Sequence, residues 1–155
     1  MKKGFTLIEL LVVIAIIAIL AGIVIIAVNP ARQVAQARNA QRRADTLTTL
    51  NAIHQYYVDN GKFPTGIDNT YKLLGTSSAA DCNISCGDWT VVNNCLNLTT
   101  DLVGLKGELY LSAMPEDPQG TDVQSGYAVY QNADNKRITV RACQAELDQT
   151  IDVTR

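Results

Sequence analysis

The chain has 155 residues and lacks the side-chain sets on which most enzymes and cofactor-binding proteins depend. Its single histidine, His54, has no partner for a catalytic triad, and neither an H-E-x-x-H pair nor a phosphate-binding glycine loop occurs. The net charge is -2, and basic residues are not in excess after residue 28. Charge therefore gives no indication of nucleic-acid binding. These absences predict a non-enzymatic protein with no bound cofactor.

Charged and polar side chains are missing from one long stretch, Leu10–Val28, which contains a single glycine, Gly22. A helix rises about 1.5 Å per residue, so this stretch reaches roughly 28 Å, close to the hydrocarbon thickness of a bilayer. An apolar run of this length exceeds the core of an ordinary cleaved secretory signal. The stretch is therefore predicted to span a membrane.

A carboxylate, Glu9, stands at the edge of the apolar run. A charge in such a segment costs a few kcal/mol unless it is paired, so Glu9 is a functional candidate. The surrounding sequence, Lys3-Gly4-Phe5-Thr6-Leu7-Ile8-Glu9 followed by Leu10-Leu11-Val12-Val13-Ile14, resembles the type III signal of type IV pilins and pseudopilins.

The resemblance implies specific processing of this N-terminus. Prepilin peptidase would cut between Gly4 and Phe5 on the cytoplasmic side, and the new amino group of Phe5 would be methylated. Glu9 would be the assembly glutamate. A methylated amine keeps its positive charge, so Phe5 and Glu9 would form a charge pair that favours the correct register of an added subunit.

The helical pattern continues beyond the apolar run. Apolar or small residues recur every three or four positions, as expected for one stripe of a helix. The stripe comprises Val34, Ala37, Ala40, Ala44, Leu47, Leu50, Ile53 and Tyr57. Asp59-Asn60-Gly61 and Pro64 predict its end. One helix of about residues 5–58 is expected, with a bend at Gly22 or Pro30.

Four arginines lie on the second half of this helix, at positions 32, 38, 42 and 43. They form either a solvated face or partners for acidic residues of neighbouring subunits. The fold class predicted for the whole chain is α+β: a lollipop in which the long helix packs on a small antiparallel sheet. The expected divisions are a leader (1–4), the membrane and assembly half of the helix (5–28), its amphipathic half (29–60) and a globular head (61–155).

Cysteine is absent before residue 82, and all four cysteines fall in the predicted head. An even number in a small domain behind a membrane segment favours two disulfides in an oxidising compartment over a metal site. Three connectivities are possible. Local pairing of Cys82 with Cys86, leaving Cys95 with Cys143, is the preferred one.

Elements of the head are less clearly marked. Residues 89–92 are expected to form a short strand, and residues 101–113 a short helix with Leu102, Leu105 and Leu109 at helical spacing. Alternating residues predict a hairpin of strands 127–131 and 137–143, whose inward face covers the helix stripe at Leu47, Leu50, Ile53 and Tyr57.

A proline-flanked acidic turn, Met114-Pro115-Glu116-Asp117-Pro118, precedes the hairpin and resembles turns of pilin-like heads. The comparable loop of major pseudopilins helps to bind calcium, which makes Glu116, Asp117 and Asp122 weak calcium candidates. A rigid turn with exposed acids is the favoured alternative.

The function implied by the resemblance is that of a pilus subunit that polymerises through its N-terminal helix and serves adhesion, motility or DNA uptake. A pseudopilin of a type II secretion or competence system is the alternative, and a membrane-anchored binding or enzymatic domain is the third possibility. The expected partners are further copies of the chain, prepilin peptidase, the inner-membrane assembly platform and, before assembly, the lipid bilayer. The bacterial inner membrane and then an extracellular filament, or a periplasmic fibre for a pseudopilin, are the expected locations.

Overall fold

The computed structural model describes residues 4–76, 82, 84–89, 92–104, 109–120 and 124–155. Two consecutive helices, α1 (Leu7–Ala27) and α2 (Pro30–Asn60), precede the head. The head contains strands β1 (Lys72–Leu74), β2 (Val92–Leu96), β3 (Tyr127–Gln131), β4 (Ile138–Ala142) and β5 (Ile151–Thr154), with a π-helical turn at Thr99–Val103. The predicted α+β lollipop is confirmed.

The predicted spine is present, but two helices form it instead of one. Val28 and Asn29 are extended between them. Pro30 lacks an N–H and disfavours helical geometry in the residue before it, so the first helix cannot run through this point. Pro30 is instead the first residue of α2, whose N-cap is Asn29. Gly22 lies inside α1 without interrupting it.

The five strands form one sheet in the order β2-β1-β3-β4-β5. The predicted hairpin is confirmed as β3 and β4, with Val129 opposite Val140 and Gln131 opposite Ile138. The sheet is mixed, because β1 and β2 run parallel while the other neighbours are antiparallel. The prediction of a purely antiparallel sheet is therefore wrong at this edge, where β1 and β2 belong to separate segments instead of a hairpin.

The main core lies between α2 and the inner face of the sheet. Leu50 and Ile53 of α2 are buried there against the hairpin residues Ile138 and Val140. The predicted stripe is only partly correct, because Leu47 and Tyr57 are 48% and 43% exposed. Polar residues occupy much of the buried face of α2, namely Asn39, Arg42, Thr46 and Thr49.

Residues 101–113 do not form the predicted helix. The π-helical turn ends at Gly104, which has a φ of 72°. A positive φ leaves the right-handed helical region, so the turn cannot propagate past this glycine. Residues 109–113 are non-helical, and residues 105–108 lie outside the described part of the chain. Of the predicted strand at 89–92, residues 90 and 91 lie outside the described part of the chain, and β2 is described from Val92 to Leu96.

All four cysteines form disulfides, as predicted, but the preferred pairing is wrong. Cys82 is bonded to Cys95, and Cys86 is bonded to Cys143. Cys82 and Cys86 are both buried on the outer face of the sheet, where each meets a different strand. Cys95 lies within β2 and Cys143 directly follows β4, so the loop is tied across the sheet instead of to itself.

Candidate assembly site

Helix α1 exposes its apolar surface over Leu7–Ile25. Residues Leu7–Ile25 are long and apolar enough to cross a membrane, with a mean hydropathy of 3.2, and none of this window is buried within the molecule. An exposed apolar surface of this size marks a membrane or protein contact. The geometry therefore fits a membrane-anchored precursor.

The start of α1 is fixed by a reciprocal cap between Thr6 and Glu9. The Glu9 N–H donates to Thr6 Oγ1 at 3.3 Å, and the Thr6 N–H donates to Glu9 Oε2 at 2.9 Å. The Thr6 hydroxyl also donates to Oε2, at 2.7 Å. This is a capping box, in which two otherwise unpaired helix-end donors are satisfied by side chains.

The cap gives Glu9 a partner within its own chain. The carboxylate folds back toward the positive end of the helix dipole, where a negative charge is stabilised. The T-x-x-E spacing of residues 6–9 is the sequence signal for this cap, and the predicted pairing of Glu9 with Phe5 overlooks it. In the uncut chain the Phe5 nitrogen is still an amide bonded to Gly4, so it carries no charge.

The predicted cleavage point is open. Gly4 has no heavy atom within 4 Å of the position that a Cβ would occupy, and the Phe5 side chain is 92% exposed. Both residues precede the first helical residue, Leu7. Within the described residues, both sides of the Gly4–Phe5 peptide bond are exposed and lie before α1.

Residues 1–25 match the family model of the prokaryotic N-terminal methylation motif. The match supports a pilin-like or pseudopilin-like precursor. The motif implies processing by a peptidase and assembly into a pilus or pseudopilus. The match does not extend into α2 or the head, and comparisons with curated proteins and with solved structures gave no match.

Helix α2 is joined to the head by a cluster that we call the arginine clasp: Asn39, Arg42, Asp117, Gln119 and Glu146. Arg42 is completely buried. Its Nε and Nη2 donate to the two carboxylate oxygens of Asp117 at 2.6 and 2.8 Å. Its remaining N–H groups donate to Asn39 Oδ1 at 3.0 Å, Glu146 Oε2 at 2.9 Å and Gln119 Oε1 at 2.9 Å.

Glu146 connects the clasp to a second arginine. Arg38 Nε donates to Glu146 Oε2 at 2.6 Å, while Asn39 holds the Glu146 backbone through its side-chain amide at 2.7 and 3.0 Å. Hydrogen bonds from Arg38 and then Arg42 lower the pKa of Glu146 to about 2. The hydrogen bond to Asp117 raises the pKa of Arg42 against the opposing effect of burial. Glu146 and Arg42 are therefore both ionised at neutral pH.

The clasp shows that the four arginines of α2 do not share one role, although the sequence suggests a common solvated or intersubunit face. Arg38 and Arg42 are engaged within the chain, so a merely solvated face is wrong for these two. Arg43 Nη2 donates to Gln149 at 2.7 Å. Within the described residues, the Arg32 guanidinium makes no hydrogen bond or ion pair. No sequence pattern marks Gln119 or Glu146 as clasp residues, because each lies in a loop far along the chain from α2.

The three calcium candidates, Glu116, Asp117 and Asp122, do not form a common site among the described residues. Asp117 is 3% exposed and both its carboxylate oxygens bind Arg42, so the expectation of an exposed acid is wrong at this position. Glu116 is exposed, and Asp122 lies outside the described residues. Across the described ranges, no group of three or more histidine, cysteine or acidic side chains is placed to hold a metal ion.

An aromatic stack secures the disulfide-linked loop to the outer face of the sheet. The rings of Tyr71 and Trp89 stack with centroids 4.4 Å apart, and Tyr130 lies 4.5 Å from Tyr71. The Arg141 guanidinium lies 4.1 Å from the Trp89 ring centroid and also pairs with Asp88 at 2.6 Å. These contacts hold the loop in addition to its two disulfides.

Proposed function

We propose that this chain is the structural subunit of a type IV pilus, cleaved after Gly4 and polymerised through α1 into an extracellular filament. The observation that carries the proposal is that residues Leu7–Ile25 of α1 are apolar except for Glu9 and are exposed, while the head closes its own core against α2. Among the described residues of the head, none covers the apolar window of α1. Lipid covers α1 before assembly, and the same helix of other copies covers it afterwards.

Cleavage would change the charge at the start of α1. Removal of residues 1–4 converts the Phe5 nitrogen from an amide to an amine, and methylation keeps that amine positive. The new charge lies next to Thr6, whose N–H already binds the Glu9 carboxylate. Inside an apolar filament an unpaired Glu9 is strongly disfavoured. A subunit whose Glu9 meets a Phe5 amine of its own or a neighbouring chain is therefore retained in register.

Adhesion, motility or DNA uptake would belong to the assembled filament instead of to a catalytic site, which makes the subunit structural. Prepilin peptidase and an inner-membrane assembly platform are its proposed partners. The acidic turn between Pro115 and Pro118, which resembles the corresponding pseudopilin loop, favours the alternative of a short periplasmic pseudopilus.

Substitution at Glu9 tests the proposal and separates charge from capping. Glu9→Gln keeps a side-chain oxygen for the capping box but removes the charge, whereas Glu9→Ala removes both. We expect both variants to insert and to be cleaved, but to give at least tenfold fewer filaments by electron microscopy of cells. Glu116→Gln, an exposed acid of the head, is the matched control.

Filaments at the wild-type level from Glu9→Gln would show that charge pairing is not needed for assembly. Mass spectrometry of native fibres supplies a second check. A methylated Phe5 at the N-terminus is expected, and an intact Met1 would contradict the proposal. Micron-long surface filaments support the pilus, and short fibres that depend on a secretion system support the pseudopilus.

A further inference from the structure

An open groove of about 480 Å³ lies where α2 begins. It is lined by Asn29, Ala31, Arg32, Leu147 and Asp148. The last two residues belong to the loop between β4 and β5, which the arginine clasp ties to α2 through Glu146. The groove therefore combines the first turn of α2 with a loop of the head.

The covalent chain fixes how far this groove lies from the membrane. The apolar span ends at Ile25, and α1 remains helical to Ala27. Two helical and two extended residues then place Asn29 at most about 10 Å beyond the span, whatever the direction of α2. The polar headgroup layer of each leaflet is about 5–8 Å deep, so this limit lies only a few ångströms beyond it. The groove is thus confined to the headgroup layer or its edge.

Leu147 is an unusual residue for an exposed loop. Its side chain is 40% exposed, and its φ of 60° lies in the left-handed region, as does the φ of 54° at Asp148. This region is disfavoured for leucine and tolerated better by asparagine or glycine. The fold therefore presents an apolar side chain beside the membrane-spanning segment at a conformational cost.

The groove contains one positive and one negative side chain, Arg32 and Asp148. Arg32 has no side-chain partner among the described residues, and Asp148 forms no ion pair there. The other charged groups nearby are already engaged: Arg38 and Glu146 with each other, and Arg43 with Gln149. A zwitterionic lipid offers a phosphate for the guanidinium and an ammonium for the carboxylate, so its headgroup complements this pair.

We propose that this groove seats on the zwitterionic headgroup layer of the bilayer that α1 spans, with Leu147 inserted among the lipids. The inference rests on the membrane-embedded stage of the proposed function and adds a second, reversible contact to it. Such a contact holds the head at a fixed depth and is broken when the subunit is extracted into a filament.

Tryptophan quenching in nanodiscs tests this contact on the full chain. In a Trp89→Phe background, single tryptophans are introduced by Leu147→Trp, Asp134→Trp and Ile17→Trp. One set of nanodiscs contains phosphatidylcholine brominated near the headgroup end of the acyl chain. A second set, in which Ile17→Trp is measured, contains phosphatidylcholine brominated near the chain terminus, because Ile17 lies near the middle of the span. We expect at least twofold quenching of Leu147→Trp and little quenching of Asp134→Trp, which lies at the opposite end of β4.

The three positions distinguish the two levels of the proposal. Quenching of Ile17→Trp without quenching of Leu147→Trp would overturn the groove contact while leaving the membrane anchor intact. Absence of quenching at Ile17→Trp would overturn the membrane stage and the groove contact together.

Leu147→Asn provides a check that does not require a new aromatic residue. Asparagine tolerates the left-handed backbone, so the head is expected to keep its denaturation midpoint in detergent. Hydrogen exchange of residues 143–150 in nanodiscs is expected to accelerate at least threefold relative to the wild-type chain. Unchanged exchange in nanodiscs would contradict the contact, and a loss of stability with equal acceleration in detergent would assign Leu147 a structural role only.

Discussion

The guanidinium of Arg42 donates all five of its N–H groups to oxygen atoms of four neighbouring side chains. A buried charge is tolerated only when it is paired and its hydrogen-bonding groups are satisfied. Asp117 and Glu146 supply two negative charges, and Arg38 supplies the second positive charge. The charged residues of the clasp and Arg38 are therefore electrically balanced, with two positive and two negative charges.

The protonation of Glu146 should make the stability of the head depend on acid pH. Its pKa is lowered from 4.5 to about 2 in the folded chain. The unfolded chain binds more protons between these values, so the contribution of Glu146 is complete above about pH 4.5 and is lost as the pH falls toward 2. Urea unfolding at a series of pH values measures this slope.

Glu146→Gln is the comparison for that measurement. We expect the variant to be less stable than the wild-type chain at neutral pH and to show a flatter decline between pH 4.5 and 2. Glu116→Gln, which lacks these contacts, should retain the wild-type slope. An equal slope in wild type and Glu146→Gln would mean that other carboxylates produce the acid dependence.

At the scale of elements, periodicity predicts those parts of the chain in which burial follows one regular face. The β3–β4 hairpin is correct because Ile138 and Val140 alternate with residues of the outer face. No pattern in the sequence predicts strand β5, because four residues without clear flanking turn signals give little periodicity. The prediction of a helix at 101–113 is wrong because the turn that contains Leu102 ends at Gly104. Leu102 is buried there without a continuing helix.

The buried face of α2 shows a different limit of the same method. A search for apolar spacing selects Val34 and Leu47, which are 51% and 48% exposed. The residues buried instead include Asn39 and Arg42, whose partners come from loops more than 70 positions away. Such a polar interface depends on contacts that only the folded chain brings together.

Replacement of Arg42 tests how much the clasp contributes to the attachment of α2. Arg42→Met keeps the aliphatic length but leaves Asp117 as a buried carboxylate without its cation. We expect a loss of about 3–5 kcal/mol in the free energy of unfolding, because removal of one partner of a buried ion pair leaves the other unpaired. Chemical denaturation of the full chain in detergent measures it.

Two further variants control that experiment. Arg32→Met removes an exposed arginine without side-chain partners and should change stability by no more than about 0.5 kcal/mol. Arg42→Met combined with Asp117→Leu removes both buried charges and should recover part of the loss. A loss for Arg42→Met no larger than that for Arg32→Met would refute the structural role of the clasp.

At the scale of the whole molecule, the N-terminal motif and the lollipop architecture are predicted by the sequence, whereas the pairing of the cysteines is not. Sequence spacing favours Cys82 with Cys86, but the loop crosses the outer face of the sheet and carries each sulfur to a different strand. The pairing is therefore a consequence of sheet topology, which local spacing does not encode.

The two disulfides should differ in their contribution to stability. Cys86–Cys143 closes a separation of 57 residues, and Cys82–Cys95 closes one of 13. The longer closure restricts the unfolded chain more, so we expect paired replacement by alanine to cost about 4 kcal/mol for the former and about 3 kcal/mol for the latter. Denaturation midpoints of the two double variants provide the comparison.

Loss of the aromatic stack and of the Trp89–Arg141 contact provides a reference for the losses of stability in the two disulfide variants. Trp89→Leu removes the stack while leaving both disulfides, and a loss of about 1–2 kcal/mol is expected from the cation–π and ring contacts. Equal losses for the two disulfide variants would contradict the dependence on loop length.

The connectivity itself can be checked by non-reduced peptide mapping, which should recover Cys82 linked to Cys95.

The interruption at Val28 and Asn29 leaves α1 and α2 as two helices that end and begin with their own hydrogen bonds. Helix α1 ends with a bond from the Val28 N–H to the Val24 carbonyl, and α2 begins with the Asn29 side chain bound to the Arg32 N–H. In the described structure, no backbone hydrogen bond joins residues before Asn29 to residues after it. Tension on α1 consequently reaches the head through the covalent backbone alone, so bending at this joint breaks no helical hydrogen bond. A filament built on such subunits could flex at each joint while its heads stay folded.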